Sequence, residues 1–168
     1  MRVAITGTPG TGKTTATDRL DTDLDVVHLN ALIREEGLAT GEDPDRGSLV
    51  ADIDALRERL ADREDAIIES HLAHHLEADR VVVLRCHPET LRERLLDRGE
   101  DESKAEENAE AEALDVILSE AVDAHGLDSV YEIDTTDRTP DEVAADIEAV
   151  IAGERAPSAG EVEFLDYL

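Results

Sequence analysis

The sequence predicts an α/β fold, a parallel five-stranded sheet with helices on both faces, and three observations carry that prediction. Five short runs rich in Val, Ile and Leu, at residues 2–6, 25–29, 65–70, 79–86 and 129–135, alternate with stretches of helical character, an order that requires βαβ crossovers. Pro88 and Pro140 stand where helices would start, and Gly37 and Gly99 where helices would stop. The first strand runs straight into Gly7-Thr8-Pro9-Gly10-Thr11-Gly12-Lys13-Thr14, which matches G-x-x-x-x-G-K-[ST] between a strand and a helix.

In order, RVAIT (2–6) is a buried strand ended by Gly7, followed by a helix over 14–20. DVVHL (25–29) is the second strand, and Asn30 is placed to cap a helix through Glu36 that Gly37 closes. Residues 39–47, with Gly41, Pro44 and Gly47, read as a polar loop leading into an amphipathic helix near 49–60. DAIIES (65–70) and DRVVVLRC (79–86) are the third and fourth strands, and a helix from Pro88 runs to Arg98. Leu114, Ile117, Leu118, Ala121 and Val122 make a helical stripe within 104–124. A fifth strand spans 129–135, and Pro140 opens a last helix through Ile151. Residues 1–153 thus read as one domain and 154–168 as a tail. Phe164 and Tyr167, two of the three aromatics, are expected to anchor that tail on the core or on a partner.

At 168 residues, 40% hydrophobic and 35% charged, the chain can bury a sizeable core. The apolar run at 81–84 is far too short to cross a bilayer, and no basic-then-apolar segment opens the chain, so a cytoplasmic location is expected. A single cysteine, Cys86, excludes an intrachain disulfide and a cysteine-cluster zinc site. The formal charge is −27, with fourteen arginines and only two lysines. Because the acids sit on periodic helices rather than in blocks, the pattern indicates a salt-rich, halophilic cytoplasm where self-repulsion is screened, not a disordered acidic chain. It also argues against a broad nucleic-acid-binding face. The two lysines, Lys13 and Lys104, both fall in segments with other marks of chemistry.

The glycine-rich loop predicts binding of ATP and Mg²⁺. Gly10 and Gly12 let backbone N–H groups turn toward phosphates, and the following helix adds its positive end. Lys13 supplies a mobile charge to the β- and γ-phosphates, the Thr14 hydroxyl is a magnesium ligand, and Thr15 donates to the α-phosphate. Such a site needs a carboxylate on a neighbouring strand to hold Mg²⁺ through water. Glu69, at the end of the third strand, is the candidate, with a strand-end surface acid as the plainer reading. His71 is placed to orient a water or touch the γ-phosphate. His74 and His75 add helical spacing to His71; a metal pair is one reading, and solvated loop histidines are preferred. Arg34 lies where an acceptor phosphate would enter, and Arg98 opens a polar segment with Lys104 that reads as a lid, hinged at Gly99. Arg138 is placed to flank an adenine.

These pieces resemble adenylate kinases, and within them the archaeal and eukaryotic adenylate-kinase-like ATPases of the coilin-interacting nuclear ATPase type. The resemblance runs to about Gly153 and rests on TGTPGTGKTT, REEGL, Glu69-Ser70-His71, VVVLR and ERLLDRG running on to Glu107-Asn108. It implies a three-layer P-loop nucleoside monophosphate kinase fold with an ATP site at Gly10, Gly12, Lys13, Thr14 and Thr15. It further implies a monophosphate-binding segment over about 30–50 and a lid over about 97–107 with Arg98 on ATP. The activity implied is a nucleoside monophosphate kinase, ATP and AMP giving two ADP, combined with slow ATPase activity. A role in small ribosomal subunit maturation (rRNA processing), through contact with immature subunits and the ribosomal protein uS11, is implied as well. Glu69 departs from the Asp usual in the eukaryotic members, and its extra methylene carries the carboxylate farther from the strand. A kinase for a small metabolite such as shikimate is a weaker reading, because His28-Leu29-Asn30 stands where that class has an acidic pair.

Overall fold

The computed structural model describes residues 1–42 and 49–168. Among them the strands are β1 (Arg2–Thr6), β2 (Asp25–His28), β3 (Ala39–Glu42), β4 (Leu49–Ala51), β5 (Ala66–Glu69), β6 (Arg80–Arg85) and β7 (Val130–Asp134). The helices are α1 (Lys13–Thr17), α2 (Leu29–Glu36), α3 (Ile53–Arg59), α4 (Pro88–Asp97), α5 (Glu102–Ala113), α6 (Val116–His125) and α7 (Pro140–Ala152). Five strands form one parallel sheet in the order β2-β5-β1-β6-β7. All five sequence-predicted strands are therefore present, and the α/β prediction holds.

The pleat sorts the apolar residues onto two faces. Ala4, Ile68, Val81 and Val83 meet Leu29 of α2, Leu56 of α3 and Leu118 of α6 on one side. Val3, Ile5, Ile67, Val82 and Leu84 meet Ala16 of α1 and Ile147 and Val150 of α7 on the other. Burial on both faces explains why the strands read as continuous apolar runs. Each fully buried Leu or Ile contributes about 1.5–3 kcal/mol. A third cluster packs Leu91 and Leu95 of α4 against Ala105 and Ala109 of α5, with Cys86 beneath. No helix among the described residues is long and apolar enough to cross a membrane.

Several local expectations are corrected. Residues 39–42, expected in a loop, and 49–51, expected to begin a helix, pair instead as the antiparallel strands β3 and β4, and the expected helix starts only after Asp52, as α3, where the Asp52 side chain accepts from the Ala55 amide. Pro44 and Gly47 lie outside the described residues. Asn30 does not cap α2: the N-cap is His28, two residues earlier, and the Asn30 amide oxygen accepts from Ser70 Oγ at 2.8 Å. The stripe over 104–124 is broken, because Asp115 takes a left-handed φ of 56° and separates α5 from α6. That conformation is tolerable for Asp, and Arg85 holds its carboxylate at 2.5 Å. The segment read as a polar lid is helical from Glu102, with Lys104 pairing to Glu100 at 3.8 Å.

The tail docks on this framework. Phe164 is 6% exposed, with the Arg85 guanidinium 5.3 Å from its ring centre and the His87 ring meeting it edge-on. The amides of Glu161 and Val162 donate to Glu132 Oε2 at 2.8 and 3.2 Å, and the Tyr167 hydroxyl donates to Glu106 of α5 at 3.0 Å.

Candidate functional site

The loop between β1 and α1 is shaped by its glycines. Gly7, Gly10 and Gly12 all take positive φ. A Cβ at Gly7 would stand 2.6 Å from the Leu84 carbonyl oxygen, and one at Gly10 would press on Leu95 at 3.1 Å. Lys13 is buried, and its ammonium donates to the carbonyls of Gly7 at 2.8 Å and Thr8 at 3.2 Å. Burial lowers its pKa to about 8, opposed by Glu69 and assisted by the nearby charge of Arg98. Thr14 and Thr15 are exposed on the first turn of α1.

Supports that sequence reasoning missed hold this loop in place. Thr8 Oγ1 donates to Glu112 of α5 at 3.0 Å. Arg94 of α4 donates to the Gly10 carbonyl at 3.3 Å, and Thr135, just past β7, donates to the Thr11 carbonyl at 3.0 Å. Each comes from a different element, so no sequence spacing announces them.

Glu69 ends β5 beside the loop. It is 6% exposed, which removes the surface-acid reading. Thr14 Oγ1 donates to its Oε1 at 3.4 Å, and its Oε2 meets His28 Nδ1 at 2.8 Å. His28 is its register partner across the β2–β5 pairing, so the strand-end histidine orients the strand-end acid. A hydroxyl and a carboxylate oxygen so placed are the hard donors that magnesium takes. His71 is half-buried two residues on; burial foremost, then the charge of Lys13, lowers its pKa to about 4, so it is neutral at physiological pH.

A cleft of about 620 Å³ opens beside the loop, bounded by Thr8 and Pro9, by Arg34 of α2, by His71, and by Lys104 and Asn108 of α5. Arg34 is exposed, with its Nε on the Asn30 carbonyl at 3.3 Å. Arg98 caps the end of α4, exposed, immediately before Gly99 with φ 87°. Arg138 is engaged elsewhere, ion-paired with Asp146 of α7. Burial pushes the Cys86 thiol up to about 11, which makes it a packing group rather than a nucleophile. His74 is also not the solvated residue expected: it is 1% exposed, with Nδ1 2.7 Å from Thr6 Oγ1 and Nε2 2.7 Å from Glu120.

The sequence model of the AAA domain family matches residues 3–115, from the first strand through the loop, the acid and α5. The chain belongs to the AAA domain family. A protein of Natronomonas pharaonis named "Putative adenylate kinase" is 67% identical over 168 residues, covering all of both chains. One of the same name from Methanothermobacter thermautotrophicus is 47% identical over 99% of this chain and 98% of its own. Among solved structures, shikimate kinase from Bacteroides thetaiotaomicron is similar with a TM-score of 0.58 at 18% identity, covering 91% of this chain and 98% of its own. Deoxyadenosine kinase of M. mycoides with bound dATP gives 0.53 at 14% identity, covering 90% and 100%. At those identities the likeness shows the fold, that of the P-loop kinases. This AAA domain chain thus carries its loop, acid and cleft on a framework shared with distant kinases.

Proposed function

We propose that the chain is an ATP-dependent nucleoside monophosphate kinase, with AMP as the first acceptor to test. The observation that carries this is the glycine cradle with Lys13 inside it, opening onto a cleft that Arg34 flanks. The relatives named as adenylate kinases support the choice of acceptor.

In phosphoryl transfer the protein mainly positions and neutralises. Amides of the loop at Gly10 and Gly12 would receive the phosphates, Thr15 the α-phosphate, and Lys13 would exchange its two carbonyl partners for phosphate oxygens. Thr14, with Glu69 through water, would hold Mg²⁺, which supplies charge neutralisation at the phosphates. Arg34 would clamp the acceptor phosphate in the cleft. Arg98, beside the Gly99 hinge of the segment 97–107, would bring its guanidinium to the transferring group.

ATP hydrolysis is the second reading, favoured by one observation: His71 is neutral and beside the loop, able to hold a water with a ring nitrogen. The assembly role, with uS11 and immature small subunits as partners, rests on the family resemblance alone, and co-purification tests it. Product analysis in molar salt decides between the chemistries. ADP formation from ATP that needs AMP supports the kinase, whereas phosphate release indifferent to every monophosphate overturns it in favour of hydrolysis.

A further inference from the structure

Away from the phosphate loop, three donor groups converge where α6 meets the 3₁₀ turn Ala73–His75. The ligating atoms of His74, His75 and Glu120 all lie within 4.8 Å of one another. Glu120 Oε2 is 2.7 Å from His74 Nε2 and 3.6 Å from His75 Nε2. Around a tetrahedral metal with bonds of about 2.0–2.1 Å, ligand atoms stand about 3.3 Å apart, so small rotations would bring these three into place. The two rings lie side by side, centroids 4.2 Å apart, and both present Nε2 to the same carboxylate oxygen.

The surroundings are those of a prepared ligand set. His74 Nδ1 is fixed by Thr6 Oγ1 at 2.7 Å, the outer contact that orients a metal-bound imidazole. His125 Nε2 donates to the His74 carbonyl at 2.8 Å and holds the backbone. His75 and Glu120 are 38% and 45% exposed, which gives an ion a way in. Both also line the cleft, so the remaining coordination positions open toward it.

We infer that His74, His75 and Glu120 bind one divalent transition metal of the zinc class, tying α6 to the turn Ala73–His75. Two imidazoles and a carboxylate select such a metal over magnesium, which prefers oxygen ligands alone. The site is separate from the magnesium position at Thr14 and Glu69, and it stands whether or not the chain is a kinase.

The test uses the whole chain, stripped with a chelator and kept in excess Mg²⁺, titrated with Co²⁺ and then Zn²⁺. One Co²⁺ per chain with a four-coordinate visible absorption, displaced by Zn²⁺, is expected, together with a higher melting temperature in Zn²⁺. His75→Ala, at a half-buried position, and Glu120→Gln, at an exposed one, should each weaken binding about 10-fold or more, and Thr6→Val, through the outer contact, by about 10–100-fold. Circular dichroism checks that each variant is folded. No saturable Co²⁺ binding by the wild-type chain overturns the inference. So does binding unchanged in His75→Ala, which would place the ion on other histidines.

Discussion

Thr8 in the phosphate loop is bonded through its hydroxyl to Glu112 of α5, and the other oxygen of that carboxylate takes the Cys86 amide at 2.8 Å and Arg85 Nε at 3.1 Å. Arg85 in turn bonds Glu132 at 2.6 Å and lies on the Phe164 ring. One carboxylate therefore joins the loop to the buried arginine and, beyond it, to the tail.

Thr8→Val keeps the shape and removes the donor. A hydrogen bond to a charged acceptor contributes about 1.5–3 kcal/mol, and Glu112 keeps its other partners, so the lower part of that range is expected. Thermal denaturation should show the loss and ATP titration a weaker affinity, because the loop loses a tether. Equal affinity in the variant would mean that Glu112 does not position the loop.

Lys13, whose pKa burial lowers to about 8, must be charged to hold phosphate. Since the free chain releases this proton as pH rises past about 8, ATP binding should weaken above that pH and stay level below it. Calorimetric titrations across the range check this. Lys13→Met should remove the pH dependence and lower kcat by about 10²–10³-fold, as loss of a fixed transition-state donor does.

His71 has a folded-state pKa of about 4 against an ordinary value of about 6.5. Between those values the unfolded chain binds the extra proton, so the stability that neutral His71 allows is complete above about pH 6.5 and lost as pH falls toward 4. His71→Asn should flatten this acid limb of the melting-temperature profile. The pH profile of kcat/KM should show no break near 6.5 arising from His71.

Phe164 is the most deeply seated residue of the docked tail segment 161–168. Phe164→Ala should cost about 3 kcal/mol, read by urea denaturation, whereas Glu161→Ala and Val162→Ala should be nearly silent because their amides, not their side chains, reach Glu132. A Phe164→Ala chain as stable as wild type would show that the tail contributes nothing to the core.

The strands and the phosphate loop were legible because each is written in contiguous residues: an apolar run, or glycines and a lysine at fixed spacing. Glu69 was legible from its place at a strand end. His28 was not, because its link to Glu69 arises only when β2 and β5 pair in register. The β3–β4 pair hid behind Gly41 and the apolar residues after it, which fit a helix start as well as a strand. The break at Asp115 was hidden too, since its left-handed turn is held by Arg85, thirty residues away in the chain. His74 looked like a loop residue because its partners, Thr6 and Glu120, come from β1 and α6.

The scarcity of lysine gives the chain an unusual chemical footprint. Of its primary amines, the N-terminus is paired with Asp65 and Lys104 with Glu100, while Lys13, its pKa lowered by burial to about 8, gives up its proton at a milder pH than an ordinary lysine. An acylating reagent applied at mildly alkaline pH thus has few places to react, and nucleotide in the loop would shield one of them. The mass of a single tryptic peptide, with and without ATP, would then report how fully the loop is occupied.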